Sequence, residues 1–432
     1  MEKSDSRVVA IEITDDIVKK KESPCSQFHH YFLKQLGQLA GDDPRKLLHC
    51  VKVGCALLLV SLLYLIEPLY EQVGDNAMWA IMTVVVMFEY TAGATLSKGL
   101  NRASGTILGG VLGLLVGILA QKFDRKASAA CISVFVFVIG ATATRFRFVP
   151  TIKRKYDYGI VVFLLTYNLV AVSGHREEQI VRLASDRLAM IAFGFTVTIM
   201  ISLIIFPVSA GDELHKSLVS KFKNIKGSLE ECIDEIFKDF DGKEKPLTRS
   251  TSKSYISVMH SKSADELMAN FAKWEPWHGR IGKSYPWNKY MQIGDILRQL
   301  AASIHTLYSC LESQRQPSDI MKITFKYSCK ELASEISGTL GELAESIEKT
   351  KKCRSHELIN GQLSAAAMAI NAGIAEYKWT MLKNEGDNRS ILENDMLPIS
   401  CLAFVLLEIG EKVQELAKKV EELGDLASFY GS

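Results

Sequence analysis

Lys52, Glu89, Lys98, Arg102 and Arg187 stand inside or against long apolar runs of this sequence. An ionisable side chain in such a run is costly, so it normally faces a water-filled path or an opposite charge. The excess here is cationic, and a lumen lined by lysine and arginine favours anions. Each residue also has a plainer reading. Lys52 can snorkel to the nearer interface, and Glu89 can neutralise Lys98 or Arg102. Lys98 and Arg102 can serve as topology markers, and Arg187 can meet headgroups. Together, with no arrangement of nucleophile and base suited to catalysis, the five favour an anion conduit over an enzyme. His278 and His305 lack a partner at metal spacing. The nine cysteines are scattered without a C-x-x-C pair. Neither a metal, another cofactor nor a disulfide framework is expected.

The elements that must position these charges divide the chain in two. Its 432 residues carry a formal charge of +2 and 23% charged residues, with a mean hydropathy of +0.09. The near balance of charge argues against a nucleic-acid partner. Such hydropathy beside so many charges fits a very apolar half joined to an ordinary one. Apolar runs fill Leu47 to Phe206, and after Gly211 the chain turns to Glu, Lys and Asp at helical spacing. A hydrocarbon core of about 30 Å needs roughly 20 helical residues. Six spans are expected: Leu47 to Ile66, Ala77 to Thr91, about Ala103 to Ala120, Ala127 to Thr144, Gly159 to Ser173 and Leu188 to Val208. The second and fifth are near the lower length limit. Residues 1 to 45 are polar, without the apolar core of a cleavable signal, so the first span is expected to drive insertion.

The loop after span one has only Glu67, Glu71 and Asp75, whereas the loop after span four has Arg145, Arg147, Lys153, Arg154 and Lys155. Positive loops stay cytoplasmic, which puts both termini in the cytosol. Lys122, Arg125 and Lys126 count against that orientation and are outvoted. Gly105, Gly109, Gly113 and Gly117 form one stripe on span three, suited to close approach of a second helix in lipid.

Beyond Gly211, Leu214, Leu218, Phe222, Ile225 and Leu229 recur at three- and four-residue steps. Residues 241 to 263 read as a mobile polar loop, with Arg249-Ser250 a candidate phosphorylation site for a regulatory kinase. Further helices are expected at Lys289 to Gln314, Ile320 to Lys351, His356 to Lys383 and Pro398 to Ser428. Trp274, Glu275, Pro276 and Trp277 make an aromatic and proline cluster that reads either as a packed corner or as a gating contact.

Several of these segments carry a family resemblance. The run WAIMTVVVMFEYTAGATLSKGLNR, Trp79 to Arg102, resembles the signature of plant aluminium-activated malate transporters. So do Asp157-Tyr158-Gly159, Phe206-Pro207 with Ala210-Gly211-Asp212-Glu213-Leu214-His215, Trp274-Glu275-Pro276, and Tyr285-Pro286-Trp287. VSLLYLIEPLY is most similar to the branch of rapid-type guard-cell anion channels. The resemblance implies a homodimeric channel, each protomer with six spans and a cytosolic helical domain. It implies passage of malate and often of inorganic anions, gated by voltage, external anions or aluminium. By the resemblance, Lys52, Lys98, Arg102 and Arg187 are pore residues and Arg154 is equivalent to a functional basic residue ahead of span five. Glu89 is carried over with them by its FEY motif, and from the residues themselves Glu89, Trp274, Glu275 and Pro276 are candidate gating or charge-pairing residues. Two departures stand out. Ile160 occupies a position that is basic in some members, and Pro207-Val208-Ser209-Ala210-Gly211 lacks a tryptophan common there.

The expectation is therefore an all-α protein: a six-helix membrane bundle over 46–208 and a cytosolic helical bundle over 209–432. Membrane lipid, malate and small inorganic anions are its expected partners, and the plasma membrane is favoured over the vacuolar membrane. The alternative is a proton-coupled exporter of organic or aromatic acids, with Glu89 as the proton carrier.

Overall fold

The computed structural model describes residues 44–173, 180–237, 254–275, 286–312, 319–383 and 389–430. Among them the regular structure is helical, apart from one isolated bridge between Lys351 and Tyr430. The described residues fall into two compact units, one of 44–90 with those between 98 and 207, the other of 91–97 with those from 208 onward.

The first unit begins with α1 (Pro44–Leu65). Ile66 then turns extended, Pro68 enters the first turn of α2 (Glu67–Val73), and Gly74 closes α2 at a φ of 60°. A short 3-10 turn leads into α3 (Ala77–Met87). After it come α4 (Ala92–Ala120), which belongs to this unit from Lys98 onward, α5 (Arg125–Arg147), α6 (Pro150–Ser173) and α7 (Ile180–Ile204). Leu58, Leu115, Val134 and Phe137 turn outward, while small residues such as Ala56, Ala80 and Ala171 are buried. That is the reverse of a water-soluble domain, and it suits a solvent as apolar as leucine.

Five stretches of the described residues are long and apolar enough to cross a bilayer: Arg45–Leu65, Ala92–Ala120, Lys126–Arg147, Ser185–Ile204 and His356–Glu376. The chain is an integral, multi-pass, all-α membrane protein. Four of the five stretches coincide with expected spans, and two expected spans are built differently. The helix of span two has 11 residues, about 16 Å at 1.5 Å per residue, because the backbone becomes extended at Phe88. Span five lies in a helix that starts at Pro150 rather than Gly159, so Lys153, Lys155 and Asp157 fill its early turns. Span three likewise starts at Ala92, which puts Lys98 and Arg102 within α4.

The glycine stripe does what its spacing suggests at three of four positions. A Cβ on Gly105 would lie 2.4 Å from the Gly159 carbonyl oxygen, and one on Gly109 would lie 2.6 Å from that of Phe163. On Gly113 it would meet the Val170 Cβ at 2.9 Å, whereas Gly117 faces open space. Backbones of α4 and α6 thus touch directly. Gly105→Val is expected to separate the helices and remove most folded protein from detergent extracts, judged by fluorescence-detected size exclusion. Gly117→Ala is expected to leave that profile unchanged.

The second unit buries a large apolar core. Its helices are α8 (Ala210–Ile236), α9 (Ser254–Met259), α10 (Lys262–Ala272), α11 (Trp287–Glu312), α12 (Asp319–Lys349), α13 (His356–Lys383) and α14 (Arg389–Leu426). Leu214, Leu218, Phe222, Ile225 and Leu229 form the buried stripe of α8. They join Leu297, Leu300 and Ile304 of α11, Leu332 and Leu340 of α12, and Leu406 and Leu416 of α14. α9 and α10 correct the expected loop over 241–263: its end is helical from Ser254, because Tyr255, Val258 and Ala269 bury against this core. Arg249-Ser250 lies outside the described residues. A buried charge cluster ties three helices: Asp265 pairs with Lys221 and with Arg298 at 2.9 Å. Burial lowers the Lys221 pKa, and contact with Asp265 opposes that shift.

Candidate functional site

Arg102 and Arg187 lie 85 positions apart in sequence, yet both line one cavity of about 240 Å³ in the first unit. Trp79 of α3 contributes to its wall, as do Thr106 of α4, Thr166 of α6 and Ser185 of α7. The remaining lining is mostly aliphatic, from Ile107, Leu114, Val162 and Leu188 among others.

Thr83 and Tyr158 position Arg102. One guanidinium nitrogen donates to the Tyr158 hydroxyl at 3.2 Å and the other to Thr83 Oγ1 at 3.3 Å. Thr83 in turn donates to the Trp79 carbonyl at 2.7 Å. Arg102 is 7% exposed. Arg187 is held differently, with its guanidinium carbon 5.3 Å from the centroid of the Trp79 ring, a cation–π arrangement. Among the described residues no carboxylate reaches ion-pair distance of either arginine. Among the described residues, three buried polar atoms at this cavity lack a partner: Arg102 Nε, Thr106 Oγ1 and Arg187 Nε. Buried donors left this way are expensive, and an anion bound in the cavity would satisfy them.

The start of α6 supports the site residue by residue. Asp157 takes two hydrogen bonds from Arg147 of α5, at 2.8 and 3.2 Å. Tyr158 accepts from Arg102, and Gly159 admits the α4 backbone. Asn101 donates to the Lys155 carbonyl at 3.0 Å. These parts of Tyr158, Thr83, Thr106 and Trp79 are not evident from sequence spacing. A polar threonine at each of 83 and 106 in otherwise apolar helices was the available signal.

The other expected site residues lie elsewhere. Lys52, 4% exposed, donates to the Phe206 carbonyl at 2.5 Å. It thus caps the end of α7, where Phe206 has a φ of 44° and helix carbonyls lack intrahelical partners. Lys98 forms an ion pair with Glu89. Arg154 lies in α6 with its side chain outside the described residues, as is Pro276 altogether. Lys52→Met is expected to lower the yield of folded protein without changing which ions cross. Quantitative surface labelling and reversal potentials check the two parts, since an unmet buried carbonyl costs about 1–3 kcal/mol.

A second convergence lies wholly within the second unit. The Glu275 carboxylate, 5% exposed, takes the Ala210 N–H at 2.5 Å, the Gly211 N–H at 3.4 Å and the Ser209 hydroxyl at 2.7 Å. Ser209 Oγ accepts from the Asp212 N–H at 3.2 Å. The three opening N–H groups of α8 are thereby satisfied by a serine cap and an anion at the positive helix end. Gly211 is required here, since a Cβ would lie 2.6 Å from the Trp287 ring. A Cβ on Gly93 would lie 2.3 Å from the Phe271 carbonyl, and Ala92 N–H bonds the Val208 carbonyl at 3.0 Å. Trp274 is half exposed beside this knot.

These junctions are built from the segments whose resemblance was noted, and comparison with known proteins agrees. The family profile described as "Aluminium activated malate transporter" matches residues 37–396.

The chain belongs to the aluminium-activated malate transporter family.

Aluminum-activated malate transporter 12 of Arabidopsis thaliana is 42% identical over 371 residues, covering 84% of this chain and 66% of that protein. Aluminum-activated malate transporter 14 of the same plant is 41% identical, covering 79% and 63% respectively. Aluminum-activated malate transporter 1 of Triticum aestivum is 34% identical over 409 residues, covering 92% and 86%. The chain thus spans a little under two thirds of the length of the first two relatives. Members of this family are transporters rather than enzymes.

Proposed function

We propose that the protein is a passive anion channel that passes malate, and with it chloride and nitrate, across a plant membrane. The observation that carries this reading is the cavity where Arg102, Thr106 and Arg187 present unsatisfied polar atoms. Two guanidinium groups with no carboxylate at ion-pair distance among the described residues attract a mobile anion, and the apolar wall between them keeps the field strong. The names of the relatives supply malate as the substrate. In this reading the first unit crosses the membrane with six helices, the short α3 giving way to non-helical backbone at Phe88. The second unit and both termini are cytosolic, the protein is a homodimer in the plasma membrane, and voltage and external anions gate it. α13 belongs to the cytosolic bundle despite its apolar composition. Lys98 with Glu89, and Trp274 with Glu275, act through position rather than by touching the anion. Glu89, the proton carrier of an exporter, is committed to Lys98, which favours the channel.

Proteoliposomes loaded with labelled malate test this reading. Malate is expected to leave down its gradient at a rate unchanged when a protonophore collapses the pH difference. Efflux that requires the pH difference would instead support the exporter.

A further inference from the structure

Cysteines 310 and 401 are 91 positions apart, yet their sulfurs lie 3.7 Å from each other where α11 packs on α14. Both are in the thiol form, Cys401 exposed and Cys310 half-buried. A disulfide needs about 2.05 Å between sulfurs, so rotation about the two Cα–Cβ bonds must bring them closer by about 1.7 Å. Both residues sit near helix segments that allow such movement. Cys310 is two residues from the end of α11, and Cys401 follows Pro398 of α14, where a helix-breaking ring removes one backbone hydrogen bond.

We propose that Cys310 and Cys401 are a redox modification site, at which a peroxide oxidant converts the two thiols to a disulfide joining α11 to α14. The exposed thiol reacts first. Cys401 attacks one oxygen of hydrogen peroxide, the O–O bond breaks, and Cys401 sulfenic acid and water form. The Cys310 sulfur then attacks the Cys401 sulfur, an S–S bond forms, and the hydroxyl leaves as water with the Cys310 proton. Two thiols lose two electrons and one peroxide gains them. Burial and the contact with Cys401 push the Cys310 thiol up to about 11, which suits it to the second, resolving role rather than to first attack. Cys232 and Cys329 are fully buried, each pushed up to about 12, and do not compete for the oxidant.

The test exposes the full chain in native membranes to hydrogen peroxide, blocks remaining thiols with N-ethylmaleimide and digests with trypsin without reductant. The expected product is a cross-linked pair, Gln299–Arg315 with Ser390–Lys412, that dithiothreitol separates. Cys310→Ser and Cys401→Ser should each abolish it. In detergent, oxidation should raise the unfolding midpoint by several degrees in the wild type and in neither variant, because a long loop is closed. Recovery of both cysteines as maleimide adducts would overturn the proposal. So would Cys401 recovered as a sulfinic acid with Cys310 still a thiol.

Discussion

Replacing both cavity arginines, Arg102→Gln with Arg187→Gln, is expected to reduce malate current about a hundredfold at unchanged surface density. Two unit charges 4 Å apart interact by about 4 kcal/mol at an effective dielectric of 20. An anion in the cavity faces two such cations, offset by its own desolvation. A net loss of about 1.4 kcal/mol per arginine is tenfold each. Glutamine is two bonds shorter than arginine, so at position 102 it removes the charge together with the Nη donors to Tyr158 and Thr83. The single variants should differ in character. Arg102→Gln removes a charge fixed by two hydrogen bonds, whereas Arg187→Gln also releases Trp79 from its cation–π partner. Trp79→Leu should therefore mimic Arg187→Gln in part, through misplacement of an intact charge. Whole-cell current divided by biotinylated surface protein is the measurement. If the double variant retained wild-type current, the anion path would lie elsewhere.

Glu275→Ala is expected to destabilise the second unit by about 3 kcal/mol or more and to abolish current even in the protein that reaches the surface. The carboxylate accepts from Ser209, Ala210 and Gly211 in a buried position. Its removal strands two backbone donors at the positive end of α8, at about 1–3 kcal/mol for each. Glu275→Gln is the sharper variant because it preserves volume. It keeps one acceptor oxygen and puts an NH₂ against a backbone N–H, so it should lose about half as much stability as alanine. Ser209→Ala should cost about 1 kcal/mol, the value of a helix cap. The order alanine at 275, glutamine at 275, alanine at 209 would be read from thermal unfolding in detergent. Equal midpoints for all three would mean that the carboxylate does not hold this helix start.

The sequence made the helices of the second unit legible because each hides an apolar stripe: α13 was expected at His356 to Lys383 and has those bounds. Tyr255 and Val258, three apart, already marked α9, but serines and lysines around them concealed a helix of only 6 residues. In the first unit the glycine spacing identified the α4 face, and what it packs on required the fold. Phe88 to Thr91 reads as more of the same apolar span; its non-helical backbone, extended at Phe88, follows from tertiary packing, to which composition is blind. The charges divide for the same reason. Each of Lys52, Lys98, Arg102 and Arg187 looked alike as a cation in an apolar run. Lys52 meets a carbonyl 154 positions away and Lys98 a carboxylate nine away. Arg102 and Arg187 meet a cavity, and nothing in local spacing separates these fates.

The central claim, that anions cross passively past this arginine pair, is tested most directly by the reversal potential of current in oocytes expressing the full chain. External chloride or malate would be changed tenfold at constant pH. The account predicts a shift of about 59 mV for chloride and about 30 mV for divalent malate, with the sign of an anion. A reversal potential that ignores both anions and follows external pH or sodium would contradict it.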